Sequence, residues 1–161
     1  MGPIKFFITT LLLATAFVLF PFKSVADSNL ALRMGSGIAN TEKSAIYSIG
    51  YEETFVDHFL YKIDAGAWTD NQPERNGAPY GSVGLGPRLG SLKGFNLQIV
   101  GSVAIAGYTD SLLGSNFQFT EELTLGYGPV GFGYKHFSNA GIIRPNIGRD
   151  YVYLNLALPL F

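Results

Sequence analysis

The sequence has no cysteine among its 161 residues, so no disulfide framework holds it together and no lipid can be attached through a thiol. Charge is scarce too: Asp, Glu, Lys and Arg make up 14% of the chain, where soluble domains average about 25%. The 11 basic residues do not outnumber the 12 acidic ones, which excludes the positive surface that nucleic-acid binding requires. After Phe22 no segment offers the roughly 18 continuous apolar residues of a membrane-spanning helix.

The one long apolar run stands at the start. Lys5 precedes it, it extends from Phe6 to Phe22, and "KSVADS" then places Ser24 and Ala26 like a small-x-small cleavage site. Residues 1–26 are therefore expected to be a secretory signal peptide, with Thr9, Thr10 and Thr15 diluting the run against a reading as a membrane anchor. The mature chain, 27–161, then loses Lys5 and Lys23 and carries a net charge near −3. Its length suits one domain with one core or one barrel.

What recurs in the mature part is glycine and an alternation of period two. In "GFNLQIVGSVAIAG", Phe95, Leu97, Ile99, Val103 and Ile105 fall on one face, and Asn96, Gln98 and Ser102 on the other. The same pattern predicts eight strands, near 29–39, 44–55, 57–68, 80–89, 94–107, 116–127, 130–138 and 150–160. One face of each is apolar, as in Leu30, Leu32 and Met34 or in Val152, Leu154, Leu156, Leu158 and Leu160. The other face holds Arg33, Glu52, Lys62, Asp64, Arg88, Glu122, Lys135 and Asn155 among many glycines, and Arg33, Lys62, Asp64 and Arg88 are expected to form lumen ion pairs.

Alternation does not say which face points outward. A secreted lipocalin-like carrier would turn the apolar face inward around a ligand. The scarcity of charge, the glycine-rich polar faces and the aromatics Tyr47, Tyr51, Phe59, Phe117, Phe119, Tyr127 and Phe132 near strand ends favour the inverse, an all-β, eight-stranded antiparallel transmembrane β-barrel. The terminal Phe161 resembles the assembly signal of bacterial outer-membrane proteins. Short turns near 54–57, 90–93 and 128–129 alternate with the longer "TDNQPERNGAP", "YTDSLLGSN" and "NAGIIRPNIGR", which places the long loops outside the cell if the mature N-terminus starts in the periplasm. Such a barrel can also be non-catalytic, with a structural or surface-binding role.

Chemistry concentrates at the end of the chain. His136 and Ser138 share a face at positions i and i+2, and Asp150 opens the returning strand on the same even-numbered row. A serine nucleophile, a histidine base and an orienting carboxylate can meet there, near the outer rim, in the pattern of acyl transfer. Asn139, Asn146 and the backbone amides around Gly141 are the oxyanion donors available in the loop between them. If 128–129 is a two-residue turn, Glu121 falls opposite His136 on the same outer face and is a second carboxylate able to support the imidazole. His58 reads as a turn residue facing water, and "GSVGLGPRLG" as barrel packing, since it lacks the helix a phosphate-binding loop needs.

The segment "HFSNAGIIRPNIG" resembles the His-x-Ser-Asn-Ala-Gly-Ile-x-x-Pro-Asn-x-Gly segment of the PagL-type lipid A 3-O-deacylases, which are eight-stranded outer-membrane barrels. The close match covers the final strand pair, and the rest of the chain agrees in architecture. The resemblance implies that His136 and Ser138 are catalytic, that Asn146 contributes to the oxyanion hole, and that the ester-linked 3-hydroxyacyl chain at position 3 of lipid A is hydrolysed. Lipid A or lipopolysaccharide is then the substrate, outer-membrane lipid the surroundings, and neither metal nor cofactor is implied; no oligomeric state follows. The departure is Asp150, where that family carries a glutamate.

Overall fold

A computed structural model describes residues 27–41, 43–56, 58–70, 77–92, 94–108 and 112–160. The expected leader, 1–26, and the terminal Phe161 lie outside the described residues. Eight strands follow one another: β1 (Asp27–Ile38), β2 (Ser44–Val56), β3 (Phe59–Asp70), β4 (Ala78–Leu92), β5 (Phe95–Ala106), β6 (Phe117–Tyr127), β7 (Val130–Ser138) and β8 (Arg149–Pro159). Each pairs antiparallel with its neighbour and β8 returns to β1, so the sheet closes as a barrel in chain order and leaves no edge. The strands run from 9 residues in β7 to 15 in β4, enough for tilted strands, which need about 9–11 residues to cross a bilayer.

Boundaries differ from the sequence pattern where turns intrude. Strand β3 starts at Phe59 rather than two residues earlier, and His58, in a turn just before it, is exposed. Strand β4 runs on to Leu92, into the turn expected at 90–93, and its pairing with β5 shifts register between Leu89 and Leu92, which leaves Leu92 opposite Phe95. The 128–129 turn is as the pattern predicts: Gly128 at φ 55° takes the left-handed position that a two-residue hairpin favours, and Tyr127 pairs with Val130.

The two faces of the wall are opposite in character. Met34, Ile49, Ile63, Val83, Ile99, Leu125 and Leu154 point outward and are exposed, whereas Arg33, Glu52, Lys62, Asp64, Glu122 and Lys135 point inward and are buried. A barrel in water would collapse this apolar exterior, so the distribution is that of a barrel surrounded by lipid. The inner charges balance three against three and meet in one network. Asp64 takes Arg33 Nη1 at 2.6 Å, Lys135 Nζ at 3.0 Å and Lys62 Nζ at 3.2 Å, while Glu122 lies 3.4 Å from Lys135, contacts Lys62, and accepts the Tyr153 hydroxyl at 2.7 Å. Burial of such charges is tolerated because each has an opposite partner. Among the described residues Arg88 has no ion pair of the kind expected: it lies half-buried at the turn end of the lumen, where its Nη1 donates to Thr54 Oγ1 at 3.2 Å. It lines an open polar vestibule there with Glu52, Asn96 and Gln98, in which solvent shares its charge.

The loop end of the lumen is closed by aromatics. Trp68 stacks on Tyr80 at 5.7 Å between centroids, and Phe137 meets both edge-on at 5.4 and 5.1 Å. Tyr151, Leu112 and Leu113 complete this core. Phe137 and Tyr151 are fully buried chain neighbours of the residues that the sequence singles out for chemistry.

Candidate active site

Alternation sets the site. On β7, Gly131, Gly133, Lys135 and Phe137 face inward and Phe132, Tyr134, His136 and Ser138 outward; on β8, Arg149 and Tyr151 face inward and Asp150 and Val152 outward. Phe137 is anchored in the aromatic core between His136 and Ser138. Asp150 is flanked by Tyr151 in the same core and by Arg149, which lies over the Trp68 ring and donates to Asp70 and to the Tyr151 hydroxyl, both at 3.2 Å. Each outward residue is therefore carried by an inner neighbour with little freedom to move.

His136 pairs with Asp150 across β7–β8 and with Glu121 across β6–β7, so one row of the outer surface reads Glu121, His136, Asp150. The imidazole turns to Asp150: Nδ1 and Oδ1 are 2.8 Å apart. Glu121 holds the expected register but is exposed, and no hydrogen bond or ion pair to His136 is recorded for it. Ser138 is next but one to His136 on the same row; its Oγ accepts the Ala140 N–H at 3.4 Å, and the structure records no hydrogen bond between it and the imidazole. With Nδ1 engaged by the carboxylate, Nε2 is the nitrogen left to exchange a proton with a hydroxyl.

The loop 139–148 is folded on itself and against the β5–β6 loop. Asn139 is buried and gives both amide hydrogens away, to Leu113 O at 2.7 Å and Ile143 O at 2.6 Å, while its Oδ1 accepts the Gly141 N–H at 3.0 Å. Its own N–H donates to Asn146 Oδ1 at 2.8 Å. Asn146 is half-buried, and its amide nitrogen has no recorded partner among the described residues. Of the three candidate oxyanion donors, Asn146 thus has the uncommitted donor, Gly141 has an amide held by Asn139, and Asn139 braces both. Leu112 O accepts the N–H groups of Ile147 at 2.9 Å and Gly148 at 3.2 Å, which fixes the loop just before β8.

Several contributors escape sequence reasoning. Gly148 has φ 88°, and a Cβ there would lie 2.5 Å from His136 Cε1 and 3.2 Å from Nε2, so only glycine lets the imidazole sit where it does. Its place in the quoted segment was the only signal of this. Thr41, fully buried, has its Oγ1 within hydrogen-bond reach of the backbone carbonyls of Asp150 and Ile38, which share its one proton; nothing in the sequence distinguishes it from other threonines. The Tyr134 hydroxyl donates to Asp150 Oδ1, and its even number already placed it on the outer row.

Comparison with known proteins gives the arrangement relatives. The model of the family described as lipid A 3-O-deacylase (PagL) matches residues 48–159. The lipid A deacylase PagL of Bordetella bronchiseptica is 44% identical over 52 residues, which cover 29% of this chain and 29% of that protein's length. The crystal structure of the outer membrane enzyme PagL superimposes with a TM-score of 0.68 at 18% identity, covering 82% of this chain and 99% of that one, a likeness of fold.

Proposed function

Given that the chain belongs to the lipid A 3-O-deacylase (PagL) family, we propose that it is an outer-membrane esterase that hydrolyses the ester-linked 3-hydroxyacyl chain at position 3 of lipid A. The observation that carries this reading is the 2.8 Å contact of His136 Nδ1 with Asp150 Oδ1 on the outward, apolar side of the wall, with Ser138 beside it. A hydrolytic site on that side, near the extracellular rim, is open to a substrate that is itself a membrane lipid. The leader at 1–26 is removed on export, and 27–161 forms the barrel.

In this mechanism Asp150 holds the His136 tautomer that leaves Nε2 free to accept the Ser138 proton. Ser138 leaves its contact with the Ala140 amide to meet Nε2, gives it the hydroxyl proton, and Oγ then attacks the ester carbonyl. The oxyanion is met first by the Asn146 amide, with the Gly141 N–H able to swing from Asn139 Oδ1 and Asn139 holding both in place. The imidazolium returns its proton to the departing sugar oxygen. Water, deprotonated by the same imidazole, then cleaves the acyl-enzyme and releases the 3-hydroxy fatty acid. Glu121, in the same row, adds negative potential on the other side of the imidazolium.

The test is to incubate the refolded protein with lipopolysaccharide in detergent and follow lipid A by mass spectrometry. Loss of one 3-hydroxyacyl chain, absent with Ser138→Ala, is expected. No loss, or equal loss with the variant, overturns the reading.

A further inference from the structure

Asp150 Oδ1 receives two donors, His136 Nδ1 at 2.8 Å and the Tyr134 hydroxyl. The register explains why both arrive at one atom. His136 is directly opposite Asp150, and Tyr134, opposite Val152, is its diagonal neighbour, a separation of about 7–8 Å that an aromatic side chain spans. The ring lies on the outward face among apolar side chains, Leu123 on β6 and Val152 on β8 being its cross-strand partners. In such a setting a phenol needs an acceptor and a carboxylate needs donors. The Asp150 backbone is pinned separately by Thr41, so what remains to be fixed is the carboxylate's rotation.

We infer that Tyr134 is a positioning residue for hydrolysis: its hydroxyl holds the Asp150 carboxylate in the orientation that accepts the His136 Nδ1–H, and through it sets how readily Ser138 is activated. The inference rests on the serine-esterase reading of the site. An aspartate has one methylene between backbone and carboxylate, so its reach toward the imidazole depends on being held at one angle. A glutamate at the same position has an extra rotatable bond with which to find the imidazole unaided. Tyr134 and the short side chain at 150 therefore act as a pair.

Two readouts on the full refolded chain test this: the rate at which a fluorophosphonate probe labels Ser138, and kcat and KM on lipopolysaccharide. Tyr134→Phe is expected to lower labelling and kcat together by about threefold to tenfold, the size of one lost net hydrogen bond, with KM unchanged within about twofold. Tyr134→Met, which keeps bulk without a hydroxyl, gives the same loss. In an Asp150→Glu background Tyr134→Phe changes labelling by less than about twofold, because the residues are coupled. Equal labelling of Tyr134→Phe and wild type, or the same loss in both backgrounds, overturns the inference while leaving the esterase reading intact. Absence of labelling in the folded wild type, as in Ser138→Ala, overturns that reading and the inference with it.

Discussion

Replacing Asp150 with asparagine preserves the side chain's size, removes its charge, and allows an amide N–H to face His136 Nδ1. The imidazole then turns its acceptor nitrogen to that amide and presents Nε2–H to Ser138, which cannot take a proton. In a fully buried triad this substitution lowers kcat by about 10⁴. Here the His136 and Asp150 side chains retain 26% and 15% of their exposure at the loop end of the wall, where polar surroundings at the rim replace part of the lost interaction and raise the effective dielectric. The expected fall is therefore about 10²–10³ in kcat, or about 2.7–4 kcal/mol at 1.36 kcal/mol per tenfold, with KM little changed. Glu121→Gln is the matched control: Glu121 stands opposite His136 but is exposed and makes no recorded bond to it, so its loss changes kcat by less than about threefold, as for a solvated charge. Initial rates of 3-hydroxyacyl release, measured by mass spectrometry on the folded variants, decide the matter. An Asp150→Asn enzyme within about threefold of wild type, or a Glu121→Gln enzyme equally impaired, refutes the assignment of the orienting acid.

Gly148→Ala puts a methyl 2.5 Å from His136 Cε1 at a φ of 88°, so the ring must turn off Asp150; activity falls about tenfold to a hundredfold while heat-modifiable migration of the barrel in detergent gels stays that of wild type. Lys62→Met leaves Glu122 and Asp64 short of a buried cation and destabilises the barrel by about 3–5 kcal/mol in urea titrations in detergent, whereas Lys62→Met with Glu122→Met recovers more than half of that loss because no unpaired charge remains. A double variant less stable than the single one refutes the pairing.

The architecture was legible because a membrane barrel writes its inside and outside into alternate residues. Parity alone placed Lys135 and Phe137 inward and His136 and Ser138 outward, and eight stretches of the same period closed into the expected barrel. Register was legible where a turn was tight: Gly128 and Pro129 fix the β6–β7 hairpin, and from there Glu121 falls opposite His136. It was less legible at β4, where the irregular pairing near Leu89 cannot be read from composition. The loops were opaque for a different reason. Asn139 gives its amide to Leu113 and Ile143, and Leu112 O receives Ile147 and Gly148. Three of these four bonds join segments more than 20 residues apart, decided by the shape of the barrel mouth and not by any local pattern. From the sequence Asn139 is open to two roles, a donor for chemistry or a residue of loop geometry, and in the structure its hydrogen bonds knot the loop.

The same parity explains how a polar site survives on a face made for lipid. An outward histidine or aspartate cannot be stabilised by the lumen network, because the wall separates them, so its partners must come from the outer rows of the neighbouring strands. The ones that bond are Asp150 from β8 and Tyr134 along β7, with Glu121 of β6 opposite His136 but not bonded to it, and all lie at the loop end, where outward polar groups are least costly. Rigidity, in contrast, comes from within: Phe137, Arg149 and Tyr151 are fully buried and alternate with Ser138, His136 and Asp150 along the chain. The proposed site is thus assembled on the outer surface by cross-strand neighbours and held still by the inner surface through backbone continuity. A substitution in the aromatic core, Phe137→Ala for one, should accordingly impair hydrolysis without touching any group on the outer face.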